Sequence, residues 1–471
     1  MTTHATGIES RHVTERNYTP IVFAGLSLLI FVVLGIWGGL PPEEERAAFI
    51  AGMIFLVVMS FLSGVATWHF MIRPLPDGYA AISEPLVNPA YRQVMAILLA
   101  ISTLSLTVGG VWDEIWHRDY GIPFGEDLFW RPHLMMYAAF LIVIGLAVFG
   151  WFTILKRGRG TLQQRFRSDP ILSYITLLGT FLIYSLPFDP LWHMIYGADI
   201  SAWSVPHIIL GTTFLLVTVL FLMSQLSIMP QRHWATVRQL DITTLGLMAI
   251  LSFLTPPLIQ LLVLEWSMAS ESISPNSIVA QRPDWMLPAL LTFLSLFVST
   301  LVTNALKRVG IATLVLVFAF LFRSLLITIA NNAEVNATMW LLAIIPAIGV
   351  DVAYLFSYTR TGKLPSWMVV ALAGSVAAIV IGTPAINEAL VIPQIDPADL
   401  VTIIPTTIIA ALVGSWMGTV IGHFATQMDN RAEEFEQQIQ RIRRSVPVVL
   451  VVYVVFLVLF IITAAPPVNL T

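Results

Sequence analysis

Asp113 and His117 stand four residues apart, and so do Asp189 and His193. On an α-helix that interval turns a side chain by about 40° and raises it by about 6 Å, so each pair occupies one face. A second histidine follows each pair across a loop, His133 after the first and His207 after the second. One carboxylate and two imidazoles form a mixed oxygen and nitrogen donor set, which suits Cu(II), Zn(II) or Fe(II). Imidazole ligates only when neutral. Pro132 and Pro206 mark helix starts that place His133 and His207 in a first turn, where the positive helix terminus disfavours imidazolium.

A single Asp and His at this spacing near a helix end reads as a hydrogen-bonded boundary pair; duplication is what singles these out. Trp112 to His133 reads WDEIWHRDYGIPFGEDLFWRPH, and Phe188 to His207 reads FDPLWHMIYGADISAWSVPH. Both follow one skeleton of Asp, two residues, Trp-His, two residues, Tyr-Gly, then a loop ending in Trp and Pro-His, and they differ by two residues in loop length. This is an internal repeat. The Trp residues have their own explanation as a membrane-interface belt, which leaves the histidines unexplained.

The elements that must hold these residues are membrane helices. The chain is 57% hydrophobic and 11% charged, with a mean hydropathy of +0.82, against about 25% charged in soluble domains. The expected fold is all-α, a polytopic bundle of about thirteen transmembrane helices with a parallel internal repeat. The spans fall near 20–40, 47–71, 94–113, 132–155, 170–188, 206–228, 241–266, 286–306, 309–331, 338–358, 366–390, 400–423 and 446–465. The organisation is a two-helix segment at 1–93, the duplicated metal-site region at 94–240, and a seven-helix region at 241–471. With no Cys in the chain, disulfides and thiolate ligands are excluded.

If the N-terminus is cytoplasmic, inner segments hold nineteen of the 24 Lys and Arg, outer segments hold Arg46, Arg118, Arg131 and Arg282, and Arg323 is intramembrane. The positive-inside rule therefore predicts a multi-pass plasma-membrane protein with a cytoplasmic N-terminus and an outer C-terminus. It also puts His117, His133, His193 and His207 outside, and the remaining five His inside.

Elsewhere, Arg323 and Asp351 lie within spans, where ionisable groups are costly. Their depths argue against a direct pair, and Glu265 or Glu334 is the better partner for Arg323; a helix-holding ion pair outweighs a transport role. Thr426 to Ser445 reads as a charged surface helix with an apolar stripe at Phe435, Ile439 and Ile442. Met135, Met136 and Met194 flank the motif and read as packing residues.

The D-x-x-W-H core followed by a loop and Pro-His resembles the C subunit of particulate methane and ammonia monooxygenases, over about residues 94–228. The resemblance implies two adjacent copper sites on an integral membrane protein that works with further subunits. It carries Asp113, His117 and His133 to the first site and Asp189, His193 and His207 to the second, where Asp189 stands at the family's Asn. Copper is thereby preferred to zinc or iron. The expected function is a copper-binding component of a membrane oxidoreductase, with two alternatives: a non-catalytic copper-binding or copper-transfer protein, and a transporter using outer Asp and His. The expected partners are the bilayer, additional membrane or periplasmic subunits and further copies of the chain, with no nucleic acid.

Overall fold

The computed structural model describes residues 46–73, 86–87, 89–120, 131–191, 205–227, 233–239, 283–329, 338–390 and 394–427, with isolated positions between 244 and 251; the side chains of 114–120 and 205–209 lie outside that description. The described chain is almost wholly helical. In order come α1 (Arg46–Thr67), α2 (Pro89–Tyr120), α3 (Arg131–Arg157), α4 (Leu162–Ser168), α5 (Pro170–Ser185), α6 (Val205–Ser227), α7 (Met286–Leu306), α8 (Ala312–Ile329), α9 (Thr338–Thr361), α10 (Trp367–Ala377), α11 (Thr383–Ala389) and α12 (Leu400–Gln427). Two-residue strands β1 (Ala235–Thr236) and β2 (Arg308–Val309) pair in parallel.

Among the described residues, seven helical stretches are long and apolar enough to cross a membrane: Val94–Asp113, His133–Arg157, Pro170–Leu191, Met286–Leu306, Leu341–Thr361, Trp367–Ala389 and Pro397–Thr426. Each coincides with an expected span. Helices α1, α6 and α8 fall on three more expected spans, with shorter apolar stretches at Thr213–Ser227 and Ala312–Leu325. The spans expected at 20–40 and 446–465, nearly all of 241–266, and the surface helix expected beyond Gln427 lie outside the described residues.

Helix α2 shows how the sequence sorts itself. Val94, Ile97, Ile101 and Leu104 are exposed along one side, while Met95, Leu99, Ser102 and Leu106 are buried. Apolar residues cover both sides, so the exposed side suits lipid and the buried side is distinguished by packing.

Four helices close a ring: α2 packs on α3 and α6, and α5 packs on the same two. Their directions follow from individual contacts. Ser102 Oγ donates to Ala139 O at 2.9 Å and Asp113 lies against His133, so α3 runs against α2. Gln225 Nε2 donates to Ala96 O at 3.3 Å, so α6 does too. A Cβ at Gly179 would overlap Ala147 and the Val143 carbonyl, and one at Gly150 would overlap Thr176, so α5 runs against α3.

One end of the ring is locked by charge. Arg92 on α2 meets Asp169 at 2.8 Å, and their side chains are 5% and 0% exposed. Asp169 also caps α5, accepting from Leu172 N, with Pro170 following at the first helical position. Burial pushes the Asp169 carboxyl above its ordinary range, while Arg92 and the Leu172 and Val87 N–H groups pull it down. The short helix α4 begins with a Thr161–Gln164 capping box that sets the turn into α5.

The second group of helices is built around α7, which packs against α8, α9, α10 and α12 and has 94% of its span buried. Gly414, Gly418 and Gly422 on α12 lie against the Phe293, Phe297 and Leu301 carbonyls of α7; a Cβ at any of them would collide with that backbone. The three are spaced four apart, the pattern by which small residues let membrane helices approach closely. Asn304 Nδ2 donates to Tyr354 OH at 3.1 Å and Ser295 Oγ to Ala343 O at 2.7 Å, fixing α9 against α7.

Asp351 has a definite job here. Its carboxylate accepts from Ala312 N at 3.2 Å and Thr313 N at 2.8 Å, so α9 caps the first turn of α8. Arg323 lies eleven residues further along α8, about 16 Å along the axis. The two do not pair directly, in keeping with their depths in the sequence. Arg323 is 1% exposed, and Glu265 and Glu334, its expected partners, lie outside the described residues.

Candidate metal centre

The directions of the four ring helices bring the C-terminal ends of α2 and α5 and the N-terminal ends of α3 and α6 to one end of the ring, opposite the Arg92–Asp169 lock. Every candidate ligand on a described helix sits at this end.

Helix α2 continues without a break to Tyr120, past the end of its apolar stretch at Asp113. Asp113 and His117 are therefore one helical turn apart on the same face. Helix α3 begins at Arg131 and α6 at Val205, placing His133 and His207 within a first turn, as their preceding prolines predict. Asp189 lies on a helical turn just beyond α5, closed by Leu191 N donating to Pro187 O at 3.2 Å. His193 and the loops 121–130 and 192–204 lie outside the described residues, as do the side chains of His117 and His207.

The geometry brings two candidate ligands together. His133 Nε2 approaches Asp113 Oδ1 to 2.9 Å, across the α2–α3 interface and twenty residues apart in sequence. Their side chains are 17% and 22% exposed, enough for a small ion to reach them and little enough to limit competing hydration. Donor atoms of a tetrahedral centre with bonds of about 2.0–2.1 Å stand about 3.3 Å apart. A widening of a few tenths of an ångström would thus turn this pair into two ligands of one ion.

Among the described residues no group of three His, Asp or Glu side chains is gathered around a point. The third member of the first set, His117, and both histidines of the second are the side chains outside the description. Asp189 is half-buried beside the buried Phe188.

Two neighbours were missed in the sequence. The Tyr137 ring lies with its centroid 6.1 Å from that of His133, one turn along α3, and the four-residue interval was the available signal. A Cβ at Gly110, one turn before Asp113, would have no atom of the described residues within 4 Å; no residue pattern announces that.

Compared with protein-family models, with curated proteins and with solved structures, the chain matches none.

Proposed function

We propose that this chain is a copper-binding integral membrane protein and a component of a copper-dependent membrane oxidoreductase of the kind its D-x-x-W-H repeat resembles. The observation that carries the reading is the 2.9 Å approach of His133 Nε2 to Asp113 Oδ1, between the two helices that carry the first copy of the repeated motif. His117 completes that set from the face it shares with Asp113. Asp189, His193 and His207 form the second set, related to the first as a parallel repeat within about thirteen spans. Zinc and iron are the competing ions for the same donors.

Copper bound at these sites would supply one-electron redox chemistry and an affinity for oxygen. The chain's own residues hold and orient the ion: the carboxylate lowers the charge of the centre, and burial at the helix interface restricts water. The charge distribution supports an outer-facing site, a cytoplasmic N-terminus and an outer C-terminus. The resemblance implies further subunits, and electron delivery would fall to them.

The test is metal content and electron paramagnetic resonance of purified protein, compared with a variant carrying Ala at His117, His133, His193 and His207. Stoichiometric copper with nitrogen hyperfine structure, lost in the variant at unchanged yield, is the expected outcome. Copper retained by the variant removes the reading. A metal-free wild type whose outer His and Asp are needed for solute uptake turns it to a transporter.

A further inference from the structure

Between Asp127 and Asp169 the chain has no acidic residue, yet Lys156, Arg157, Arg159, Arg165 and Arg167 crowd into the stretch 156–167. Asp169 is taken up by Arg92, and Arg167 is buried. That leaves Lys156, Arg157 and Arg159 exposed and Arg165 partly so, on the turn that joins α3 to α4. Among the described residues none of these four meets a carboxylate. The turn that carries them is held firmly. Arg165 Nη1 donates to Leu155 O at 2.9 Å and its Nε to Gly160 O at 3.0 Å, so its guanidinium closes the end of α3, where carbonyls lack helical partners. Gly158 has no room for a Cβ beside the Arg165 side chain, Gly160 turns the chain at φ +81°, and the Thr161–Gln164 capping box starts α4. Cations displayed on a fixed turn lose little freedom when an anion binds them.

The same turn sits at the edge of an acyl-chain surface. Lys156 Nζ lies 4.6 Å from the centroid of the Phe152 ring, and Phe152 is exposed on one side of α3 together with Val148 and Leu155. At this level Tyr91, near the start of α2, stacks on Phe149, and aromatic residues gather at headgroup depth. Charge therefore selects an anion here, and the apolar face beneath selects one that carries acyl chains. A free phosphate would use the first feature alone; a phospholipid uses both.

We propose that the α3–α4 turn is a docking site for an anionic phospholipid of the adjoining leaflet, its phosphate held among Lys156, Arg157 and Arg159 and its acyl chains laid along Val148, Phe152 and Leu155. In the orientation that the charge distribution supports, this is the cytoplasmic leaflet. Each basic residue near anionic headgroups is worth roughly fivefold in affinity. The site is independent of the metal reading.

The full chain, purified in a non-ionic detergent, is titrated separately with dioleoylphosphatidylglycerol and dioleoylphosphatidylcholine, and bound lipid is counted by native mass spectrometry. Wild type is expected to bind its first phosphatidylglycerol at least about tenfold more tightly than phosphatidylcholine, and the variant combining Lys156→Gln, Arg157→Gln and Arg159→Gln to lose that preference to within about twofold. A cation also sits over an exposed ring at the end of α9, where Arg360 covers Phe356 at 4.1 Å. Arg360→Gln combined with Lys363→Gln removes exposed charge there and should leave the preference intact, which separates a built site from general attraction. If the triple variant does not elute as a folded monodisperse species, Arg159→Gln alone carries the test, with an expected loss of about fivefold. A wild type without preference, or a preference that survives in the α3–α4 variants, overturns the site. Equal loss from the α9 variant does so as well, because it marks unspecific attraction. Inorganic phosphate offered in place of lipid should not be retained; phosphate retained by wild type and lost from the triple variant would overturn the lipid as the occupant.

Discussion

Replacing Asp169 with Asn tests what closes the ring. The Arg92 and Asp169 side chains are 5% and 0% exposed and meet at 2.8 Å. Removing one member of such a pair strands the other charge in the interior and costs about 3–5 kcal/mol. Asp169→Asn keeps an oxygen for the Leu172 N–H, so its loss is that of the charge. Asp169→Ala also strips the cap, which adds about 1 kcal/mol. Arg92→Met combined with Asp169→Asn leaves no stranded charge and should recover most of the loss. The expected order of stability is wild type, double variant, Asp169→Asn, Asp169→Ala. Unfolding by sodium dodecyl sulfate in mixed micelles, followed by tryptophan fluorescence, measures it. A cost for Asp169→Asn of about 1 kcal/mol or less, the value of a solvated pair, would refute the argument, as would a double variant no better than the single.

Four further outcomes follow from particular contacts. Gly418→Ala places a methyl against the Phe297 carbonyl and the Thr300 hydroxyl, and overpacking of this kind costs about 1–3 kcal/mol, read as a lowered midpoint in the same titration. Asp351→Ala removes the acceptor of two α8 amides and should cost about 1–2 kcal/mol, with Asp351→Asn intermediate, by thermal unfolding in detergent. Asp284 is pushed above the ordinary carboxylate range, first by burial and then by Asp399 and Asp396; its ionised form is disfavoured by the fold, so its contribution is present in acid and lost as pH rises through the raised value. Asp284→Asn should therefore raise the melting temperature at pH 7, with the advantage shrinking in acid; an advantage independent of pH would contradict this. Copper titrated against a chelator should fill the Asp189, His193 and His207 set first, because no Arg lies in its loop; His193→Ala or His207→Ala should abolish the tightest binding and His117→Ala spare it, and equal loss from either set would mean one shared site.

The positions of the helices were legible because apolar length is a strong signal in a membrane chain: each of the seven stretches in the structure falls on an expected span. The helix starts at His133 and His207 were legible from Pro132 and Pro206, and the four-residue interval placed Asp113 and His117 on one face. Spacing could not say which carboxylate meets which imidazole across two helices, because that depends on how α2 and α3 pack; the approach of His133 to Asp113 is therefore information the structure adds. Arg92 looked like one more positive-inside charge, and only the fold shows it buried against Asp169. Asp351 drew suspicion as an intramembrane carboxylate; its partners are backbone amides, which no side-chain pattern reveals. The Gly414, Gly418 and Gly422 series was a readable signal for close packing, but it does not name α7 as the partner.

The covered position of α7 bears on how the protein is made. Its tightest neighbour, α12, begins at Leu400, roughly ninety residues after α7 ends at Leu306. At a synthesis rate of about 5–20 residues per second, that is on the order of 5–20 s during which α7 has entered the bilayer without the helix that will enclose it. Through that interval its Thr300 hydroxyl, which in the folded protein donates to the Ser415 carbonyl, and the ridge destined for the three glycines face lipid or an insertion factor. A ribosome stalled before residue 400 should therefore display this helix to crosslinkers and to membrane proteases, and release through α12 should end that exposure.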